Sequence, residues 1–411
     1  MNNTNKAVDV YERLADAMDA LPSGYTRTPS KIEIELIKVV FTYEEAALAG
    51  QLTRTPETAT EIAKRVGMDE EEVTVLLESM IPPRKVRADT LALESGVKGL
   101  GKIEAKAGQQ PKAETVKKYR LSPFIVGWFE SYLQDPHPDT ERFAKLYEQY
   151  VIEGGGERIF APRPGPQGVI PYRGSLKPEW LKREPHNDVD AHFQRYDRFL
   201  VIDCVCKKDQ VAAHGHSCYM PIKRCGFVGM PPMVPLSENV IPREEAMKLW
   251  VELDAMGTMI VEGFYGFTMG AEAPQFVGGC HCCGCCCVML NAARLGALKE
   301  SVQRSNYRIV KDYAKCQTCG ECVRRCQVFA HTVDKASGQK PAYHREKCVG
   351  CGACAMGCPN GALHLEPVSE DEWVHVASSF TEWEEQRLRN LAAEQPCRDP
   401  LDPAKKQRQK R

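Results

Sequence analysis

The sequence predicts an α+β protein with a helical N-terminal domain, a cysteine-rich middle domain and a small C-terminal domain that is followed by a helix. Three observations support this class. Apolar residues in the N-terminal third recur with helical spacing. Of the 19 cysteines, all but Cys397 lie between Cys204 and Cys358. The last eight of these form two runs with the same internal spacing. We therefore expect domains at 1–135, 136–300 and 301–368, with the helix and a basic tail at 369–411.

Composition and charge exclude several functional classes. The chain has 411 residues, 43% of them hydrophobic, and a formal net charge of −1, which gives no general attraction for nucleic acid or an anionic membrane. Closely spaced cysteines are typical of metal ligation rather than of a secreted disulfide framework, which implies a reducing compartment. No apolar run is long enough to cross a bilayer, and the first residues do not read as a signal peptide. We expect a cytoplasmic protein without a membrane partner.

The N-terminal residues predict a set of short helices. One apolar stripe covers residues 7–21, and a second helix begins at Ser30. Two further helices are joined by a turn at Gly67, which is the outline of a helix-turn-helix. The basic, glycine-rich segment that follows Pro82 and Pro83 then predicts a hairpin. Residues 1–135 therefore resemble a winged-helix domain.

The charges of this region argue against DNA recognition. The second helix of a helix-turn-helix must approach phosphates, yet here it opens with four consecutive acidic residues, 69–72, and also carries Glu78. The hairpin segment is basic through Lys98, Lys102, Lys106, Lys112, Lys117 and Lys118. We therefore favour a winged helix that docks or dimerises over one that reads DNA.

The two cysteine runs near the C-terminus predict two [4Fe–4S] clusters. Each run is C-x2-C-x2-C-x3-C, in which three thiolates bind one cluster and the fourth binds the other. The predicted ligands of cluster I are Cys316, Cys319, Cys322 and Cys358. Those of cluster II are Cys348, Cys351, Cys354 and Cys326. This stretch resembles the bacterial-type two-cluster ferredoxin domain, except that Gln327 stands where proline usually follows the first run. A pair of zinc ribbons is the alternative.

A second cysteine field precedes these runs. A short apolar strand at 199–202 leads into it, and a helix from about Ile241 to Gly257 divides it. Its ten members are Cys204, Cys206, Cys218, Cys225, Cys280, Cys282, Cys283, Cys285, Cys286 and Cys287. An extended chain would separate Cys280 and Cys282 from Cys283, Cys285 and Cys287. A helix starting near Gly284 would instead group Cys283, Cys286 and Cys287.

Either arrangement divides the thiols between two directions, so we expect one or two further iron–sulfur clusters here, with zinc as the alternative. Three histidines lie close by, at His214, His216 and His281, but we expect none of them to be a ligand. The Gly- and Pro-rich segment 154–185 predicts an irregular surface linker. The helix from Ser369 to about Glu394 is expected to pack on the preceding domain, and the basic tail to be solvated.

The field also carries a wider resemblance. From about Tyr11 to Glu366 the chain is similar to multi-cluster ferredoxin-like proteins of anaerobic bacteria that have a winged-helix-like N-terminus. The matching positions are Cys204, Cys206, Cys225, Cys280, Cys282, Cys283, Cys285 and Cys286. This resemblance implies electron transfer. We find no catalytic residue set in the sequence, so we expect an electron-transfer protein that passes single electrons through three or four [4Fe–4S] clusters between a redox donor and a larger reductase.

Two other functions stay open at this point. One is a redox-sensing transcription regulator, in which the winged helix reads DNA. The other is a reductase with a catalytic cluster between Cys204 and Cys287.

Overall fold

The structure is a computed structural model of the chain. It describes residues 9–81, 86–92, 115–134, 137–160, 164–215, 218–230, 232, 234–263, 279–294, 302–333, 339–375, 377 and 380–394.

The N-terminal part contains short helices and one hairpin. In chain order these are α1 (Val10–Asp19), α2 (Ile32–Val40), α3 (Tyr43–Ala49), α4 (Ala59–Val66), α5 (Glu70–Met80), β1 (Val86–Ala92), β2 (Thr115–Leu121), α6 (Phe129–Gln134), α7 (Thr140–Ile152) and α8 (Glu157–Phe160). A π-helical turn, Phe124–Trp128, leads into α6. α1 begins at Val10, where the Asp9 side chain caps the amide of Tyr11, and it ends at Asp19, before the predicted end at residue 21.

The helix-turn-helix elements are present in the predicted order. Gly67 ends α4 with a positive φ of 74°, a conformation that glycine adopts without steric cost. Asp69 then caps the first turn of α5 through two backbone amides. β1 and β2 pair antiparallel, from Val86 opposite Leu121 to Ala92 opposite Thr115. The central part of the predicted wing lies outside the described residues, and the winged-helix assignment stays a prediction.

An aromatic core unites this region and continues past residue 135. The rings of Phe124 and Trp128 lie 4.4 Å apart, and the ring of Phe143 from α7 lies 6.3 Å from Trp128. On the other side of this cluster, the rings of Tyr25 and Tyr150 pack together with their centroids 5.5 Å apart. α7 also packs on α2. α7 is therefore buried against the N-terminal helices.

Two small sheets form the middle of the molecule. Its elements are β3 (Gln167–Val169), α9 (Pro178–Arg183), α10 (Val189–Arg195), β4 (Arg198–Asp203), α11 (Val205–His214), β5 (Lys223–Met230), β6 (Val240–Pro242), α12 (Arg243–Met256), β7 (Met259–Gly263), β8 (Gly279–Cys282) and α13 (Val288–Arg294). The antiparallel sheets have the orders β5-β4-β6 and β3-β7-β8. α12 packs on the first sheet and buries Trp250 and Leu253. Segment 154–185 is not an irregular surface linker, because β3 pairs with β7 inside the second sheet.

The C-terminal domain is built from short pieces around the two cysteine runs. They are β9 (Tyr307–Lys311), α14 (Glu321–Arg325), β10 (His331–Thr332), β11 (Ala342–Tyr343), α15 (Ala353–Met356) and β12 (Leu363–Pro367), followed by α16 (Phe380–Glu394). β9 pairs with β12 and β10 with β11, both antiparallel. The predicted helix start at Ser369 is wrong. That segment forms a 3-10 turn, after which the indole of Trp373 stacks on the guanidinium of Arg183 at 3.5 Å.

α16 binds to the N-terminal part of the chain rather than only to the domain before it. Arg387 is fully buried and donates hydrogen bonds to four backbone carbonyls, those of Pro22, Pro164, Arg158 and Ile159. Trp383 donates to the carbonyl of Gly165. α16 therefore packs back onto the N-terminal part of the chain. Among the described residues, no helix has the length and apolar content to cross a membrane.

Replacing Arg387 with Met should lower the free energy of unfolding by about 3–5 kcal/mol, because it leaves buried carbonyls without donors. Denaturant unfolding of the anaerobically purified protein measures this. Arg389→Met on the exposed side of the same helix is the matched control, and it should change the free energy by less than about 0.5 kcal/mol. Equal effects of the two substitutions would contradict the role given to Arg387.

Candidate metal centres

The four predicted ligands of cluster I surround one cavity. Cys316 and Cys319 come from the loop before α14, Cys322 from α14 itself, and Cys358 from the end of the second run. The amide of Ala362 donates to the Sγ of Cys358 at 3.3 Å. Cys319 is exposed and Cys322 buried, so the cavity opens towards solvent on one side. Four convergent sulfurs with an amide donor beside one of them fit an iron–sulfur cluster.

The predicted ligands of cluster II also converge. Cys351 and Cys354 lie close enough to Cys326 and Cys348 to interact with them electrostatically. The amide of Ala330 donates to the Sγ of Cys326 at 3.1 Å. Burial raises the pKa of the Cys351 thiol to about 12, so this thiol ionises at neutral pH only when a cation compensates its charge.

Glycine is required in the cluster II loop. Gly350 has a φ of 75°, and a Cβ placed there would lie 2.1 Å from the carbonyl oxygen of Tyr307 on β9. Any larger residue would push the loop away from this strand. The tight wrapping that brings Cys348 and Cys351 to one side therefore depends on this position.

The ten thiols of the second field form two separate groups. The first, which we call the six-thiol ring, is connected by sulfur–sulfur contacts in the order Cys280, Cys225, Cys204, Cys206, Cys287, Cys282. Its members come from β5, β8, the start of α11 and the residue before α13. None of them is exposed. The ring therefore lies inside the protein, beneath α11, which packs on α6 and α7 of the N-terminal part.

The second group, which we call the four-thiol group, consists of Cys218, Cys283, Cys285 and Cys286. Its four Sγ atoms all lie within 4.8 Å of one another. Cys285 is exposed, whereas the other three are buried. A hydrogen bond from Cys286, together with the nearby Arg224 guanidinium, lowers the pKa of the Cys283 thiol to about 4. The Arg224 guanidinium therefore favours the charged form of the Cys283 thiol.

The run from Cys280 to Cys287 supplies both groups because its backbone changes direction. Along β8 the side chains alternate, so Cys280 and Cys282 both face the ring, as the extended alternative predicts. The turn after β8 sends Cys283, Cys285 and Cys286 to the four-thiol group. Cys287 then returns to the ring. Neither sequence alternative describes this division alone, because the turn lies between the strand and α13.

Arg224 lies between the two groups and is a site residue that the sequence analysis missed. Its side chain is 1% exposed, and its Nη2 lies 3.2 Å from the Sγ of Cys283 and 3.9 Å from that of Cys218. Cys204 and Cys225 of the ring also interact with it electrostatically. Its Nε and Nη1 atoms have no hydrogen-bond partner. A buried cation with unused donors indicates that anionic groups belong around it. Its position next to Cys225 was the only signal in the sequence.

Of the three histidines near the second field, the two that the structure describes, His214 and His281, lie outside both groups. His281 alternates away from Cys280 and Cys282 and packs on Trp250 at 4.4 Å, and burial lowers its pKa to about 3. His214 is paired with Glu148 at 3.3 Å on the surface. His216 lies outside the described residues.

Gln327, the departure from the usual ferredoxin pattern, connects the C-terminal domain to the second field. Its Oε1 accepts a hydrogen bond from the amide of Gly284 at 2.7 Å, and its Nε2 donates to the carbonyl of Gly257 at 2.8 Å. Gly284 lies between two members of the four-thiol group, and Gln327 follows the cluster II residue Cys326 directly. Proline could not make either contact.

Arg325 strengthens the same junction. Its guanidinium donates to the carbonyls of Asp254 and Ala255 in the last turn of α12, and its Nε donates to the carbonyl of Ala353 in α15. A cation at this end of a helix interacts favourably with the helix dipole. The side chain is buried, so the contact is water-excluded.

Replacing Gln327 with Leu should slow electron exchange between the C-terminal domain and the second field, because it removes the two hydrogen bonds that Gln327 makes at the junction. It should also lower the free energy of unfolding by about 1–3 kcal/mol through the unpaired Gly284 amide and Gly257 carbonyl. Rapid-mixing reduction followed by freeze-quench EPR measures the exchange. Gln317→Leu, in the exposed part of the same run, is the control. Unchanged exchange in Gln327→Leu, with cluster content intact, would show that the junction does not carry electrons.

Comparison with known proteins identifies the C-terminal cysteine runs. The family model of the 4Fe-4S dicluster domain matches residues 315–362. An uncharacterized ferredoxin of Methanocaldococcus jannaschii is 38% identical over 60 residues, which are 14% of this chain and 90% of that protein. A tetrathionate reductase subunit of Archaeoglobus fulgidus is 33% identical over 94 residues, which are 22% of this chain and 44% of that subunit.

A third relative is a candidate oxidoreductase, UacF, of Escherichia coli. It is 30% identical over 104 residues, 24% of this chain and 16% of its own length. The chain thus spans less than half of this oxidoreductase and of the tetrathionate reductase subunit. No solved structure matches the chain.

Proposed function

The chain belongs to the 4Fe–4S dicluster domain family through residues 315–362, and from this premise we propose that it is an electron-transfer protein with more iron–sulfur centres than the family domain supplies. Electrons would enter from a redox donor and leave to a larger reductase. The observation that carries the proposal is the junction at Gln327, which joins a cluster II loop to the four-thiol group by a hydrogen bond of 2.7 Å.

In this proposal the family domain holds two [4Fe–4S] clusters with interlocked ligands. Cys316, Cys319, Cys322 and Cys358 hold cluster I, and Cys348, Cys351, Cys354 and Cys326 hold cluster II. The common cavity of the first set and the mutual proximity of the second set support this assignment. When bound, such clusters accept and release one electron at a time. The protein keeps the two sites close together because each run supplies one ligand to the other's cluster.

The six-thiol ring is proposed as the site of a third iron–sulfur cluster. Thiols buried this deeply are protected from solvent oxidants, yet six of them in contact have no structural use as neutral side chains. Backbone amides point at the ring, since Lys207 donates to Cys204 and Gly226 to Cys280. Amide donors and the Arg224 guanidinium both offset negative charge, as a cluster bound by thiolates requires. Six ligands also exceed the four that one cubane uses.

The solvent exposure of the cysteines suggests the order in which electrons would pass through the proposed centres. Cys319 of the cluster I set is exposed, whereas the backbone carbonyl of the cluster II residue Cys351 accepts a hydrogen bond from the amide of Tyr172 in the middle domain at 2.8 Å. Cluster I would therefore exchange electrons with a partner protein and cluster II with the second field. The ring, which lies nearest the N-terminal helices, would be the inner end of the path.

The contacts of the N-terminal domain favour a docking role over a regulator that reads DNA. Glu70, Glu71 and Glu72 are exposed in the first turn of α5. Lys117, on the hairpin, is paired with Glu78 at 2.6 Å, so this wing cation is already neutralised by the helix. Both features weaken attraction to phosphates.

Two cubanes contain about eight iron atoms and eight sulfides, and the anaerobically purified chain should contain more of both. In a Cys204→Ser/Cys280→Ser double variant, the content should fall to about those values while the ferredoxin-type EPR signals persist. Iron analysis, acid-labile sulfide assay and EPR measure this. Cys397→Ser, which alters a cysteine outside all four ligand sets, is the control and should lose nothing. A parent protein that holds only two clusters, or none, would refute the proposal.

The N-terminal domain should show no sequence-specific DNA binding at physiological salt. Selection from a random duplex library followed by gel shift measures this. A Glu71→Lys/Glu72→Lys variant is the informative companion, because reversing these charges should increase only salt-sensitive, unspecific binding. Recovery of a defined DNA sequence with the unaltered protein would instead favour the regulator.

A further inference from the structure

We propose that the four-thiol group binds a single tetrahedral metal ion, zinc or iron, and not a cubane cluster. The ligands would be the thiolates of Cys218, Cys283, Cys285 and Cys286. This centre would be a fourth and chemically different site, placed between the ferredoxin-type domain and the six-thiol ring.

The sulfur spacing carries the inference. One ion with metal–sulfur bonds of about 2.3 Å holds four sulfurs at the corners of a tetrahedron, about 3.8 Å apart. In this group, Cys283 lies 3.3 Å from Cys285 and 4.0 Å from Cys218, and Cys285 lies 3.9 Å from Cys286. No pair exceeds 4.8 Å. A cubane places its thiolates farther apart, since each binds a different iron atom at a separate corner.

The rest of the molecule provides an internal comparison. All eight ferredoxin-type ligands are described, and neither of their sets brings three sulfurs within the spacing of the four-thiol group. The same holds for the six-thiol ring, whose sulfurs interact in neighbouring pairs. Within the described part of the chain, only the four-thiol group has the dimensions of a mononuclear site.

Charge and access also fit one ion. Four thiolates around a divalent ion carry a net charge of −2, and a buried site of that charge needs compensation. Arg224 supplies one positive charge and donates to Cys283 at 3.2 Å. The amide of Gly284, between Cys283 and Cys285, is already bonded to Gln327, which fixes the turn. The exposed Cys285 marks the side from which an ion can reach the group.

The test compares metal with sulfide. A Cys285→Ser/Cys286→Ser variant of the full chain, purified without oxygen, should lose one metal ion per chain and no acid-labile sulfide. Loss of zinc should leave the visible spectrum unchanged, whereas loss of iron should remove a high-spin ferric EPR signal from the oxidised protein. Cys397→Ser is the control. Loss of about four irons together with about four sulfides would mean a cubane and overturn the proposal.

A second measurement needs no variant. Native mass spectrometry of the unaltered protein should show a bound mass equal to its clusters plus one metal ion, and a bound mass of clusters alone would overturn the proposal. This result is independent of the proposed third cluster. The ring variant Cys204→Ser/Cys280→Ser reports on sulfide-containing iron, and the four-thiol variant reports on metal without sulfide.

Discussion

The contact between the last turn of α12 and the loop after α14 is the constraint on which the arrangement of the cysteines depends. Arg325 and Gln327 occupy the carbonyls at the end of α12, and Gln327 also holds the turn at Gly284. The short stretch from Arg325 to Gln327 thus positions the predicted ligand Cys326 and contacts the end of α12. It also holds the turn at Gly284, where the second cysteine field divides into its two groups. The hydrogen bond from the Tyr172 amide to the Cys351 carbonyl, at 2.8 Å, is a second link between the middle domain and the C-terminal domain.

The division of the second field follows from this constraint. Because the turn at Gly284 is held from outside, the chain can leave β8 with two thiols facing inward and then present three thiols in the opposite direction. A Cβ at Gly284 would lie 2.4 Å from the carbonyl oxygen of Gln327, so the close approach also requires glycine. The Arg224 guanidinium lies between the two thiol groups and interacts with thiols of both. These interactions explain how a charged side chain can be buried among apolar strands.

The sequence was most informative where the chemistry is local. Ligands two or three residues apart must lie near one another, so spacing groups the first three cysteines of each ferredoxin-type run, and it also predicts the shared face of Cys280 and Cys282 on a strand. The crossed fourth ligands, Cys326 and Cys358, rest on the ligand rule of two-cluster ferredoxins. The partnership of Cys218 with Cys283, or of Cys204 with Cys225, depends on sheet pairing across distant segments and cannot be read from spacing. α16 shows the same limit, since the apolar stripe with Trp383 and Leu391 predicts a packed helix but not that Arg387 reaches Pro22 and Pro164.

The replacement of proline by Gln327 illustrates how a departure from a family pattern gains meaning only in three dimensions. In sequence it restores an amide donor next to Cys326 and suggests a change in local backbone freedom. In the structure its side chain makes two of the junction's hydrogen bonds, with the Gly284 amide and the Gly257 carbonyl. Here the position is occupied by the same chain, and among the eight predicted ferredoxin-type ligands only Cys319, of the cluster I set, is exposed. In the proposed electron path, the domain would therefore act as one segment of a fixed route rather than as a free carrier.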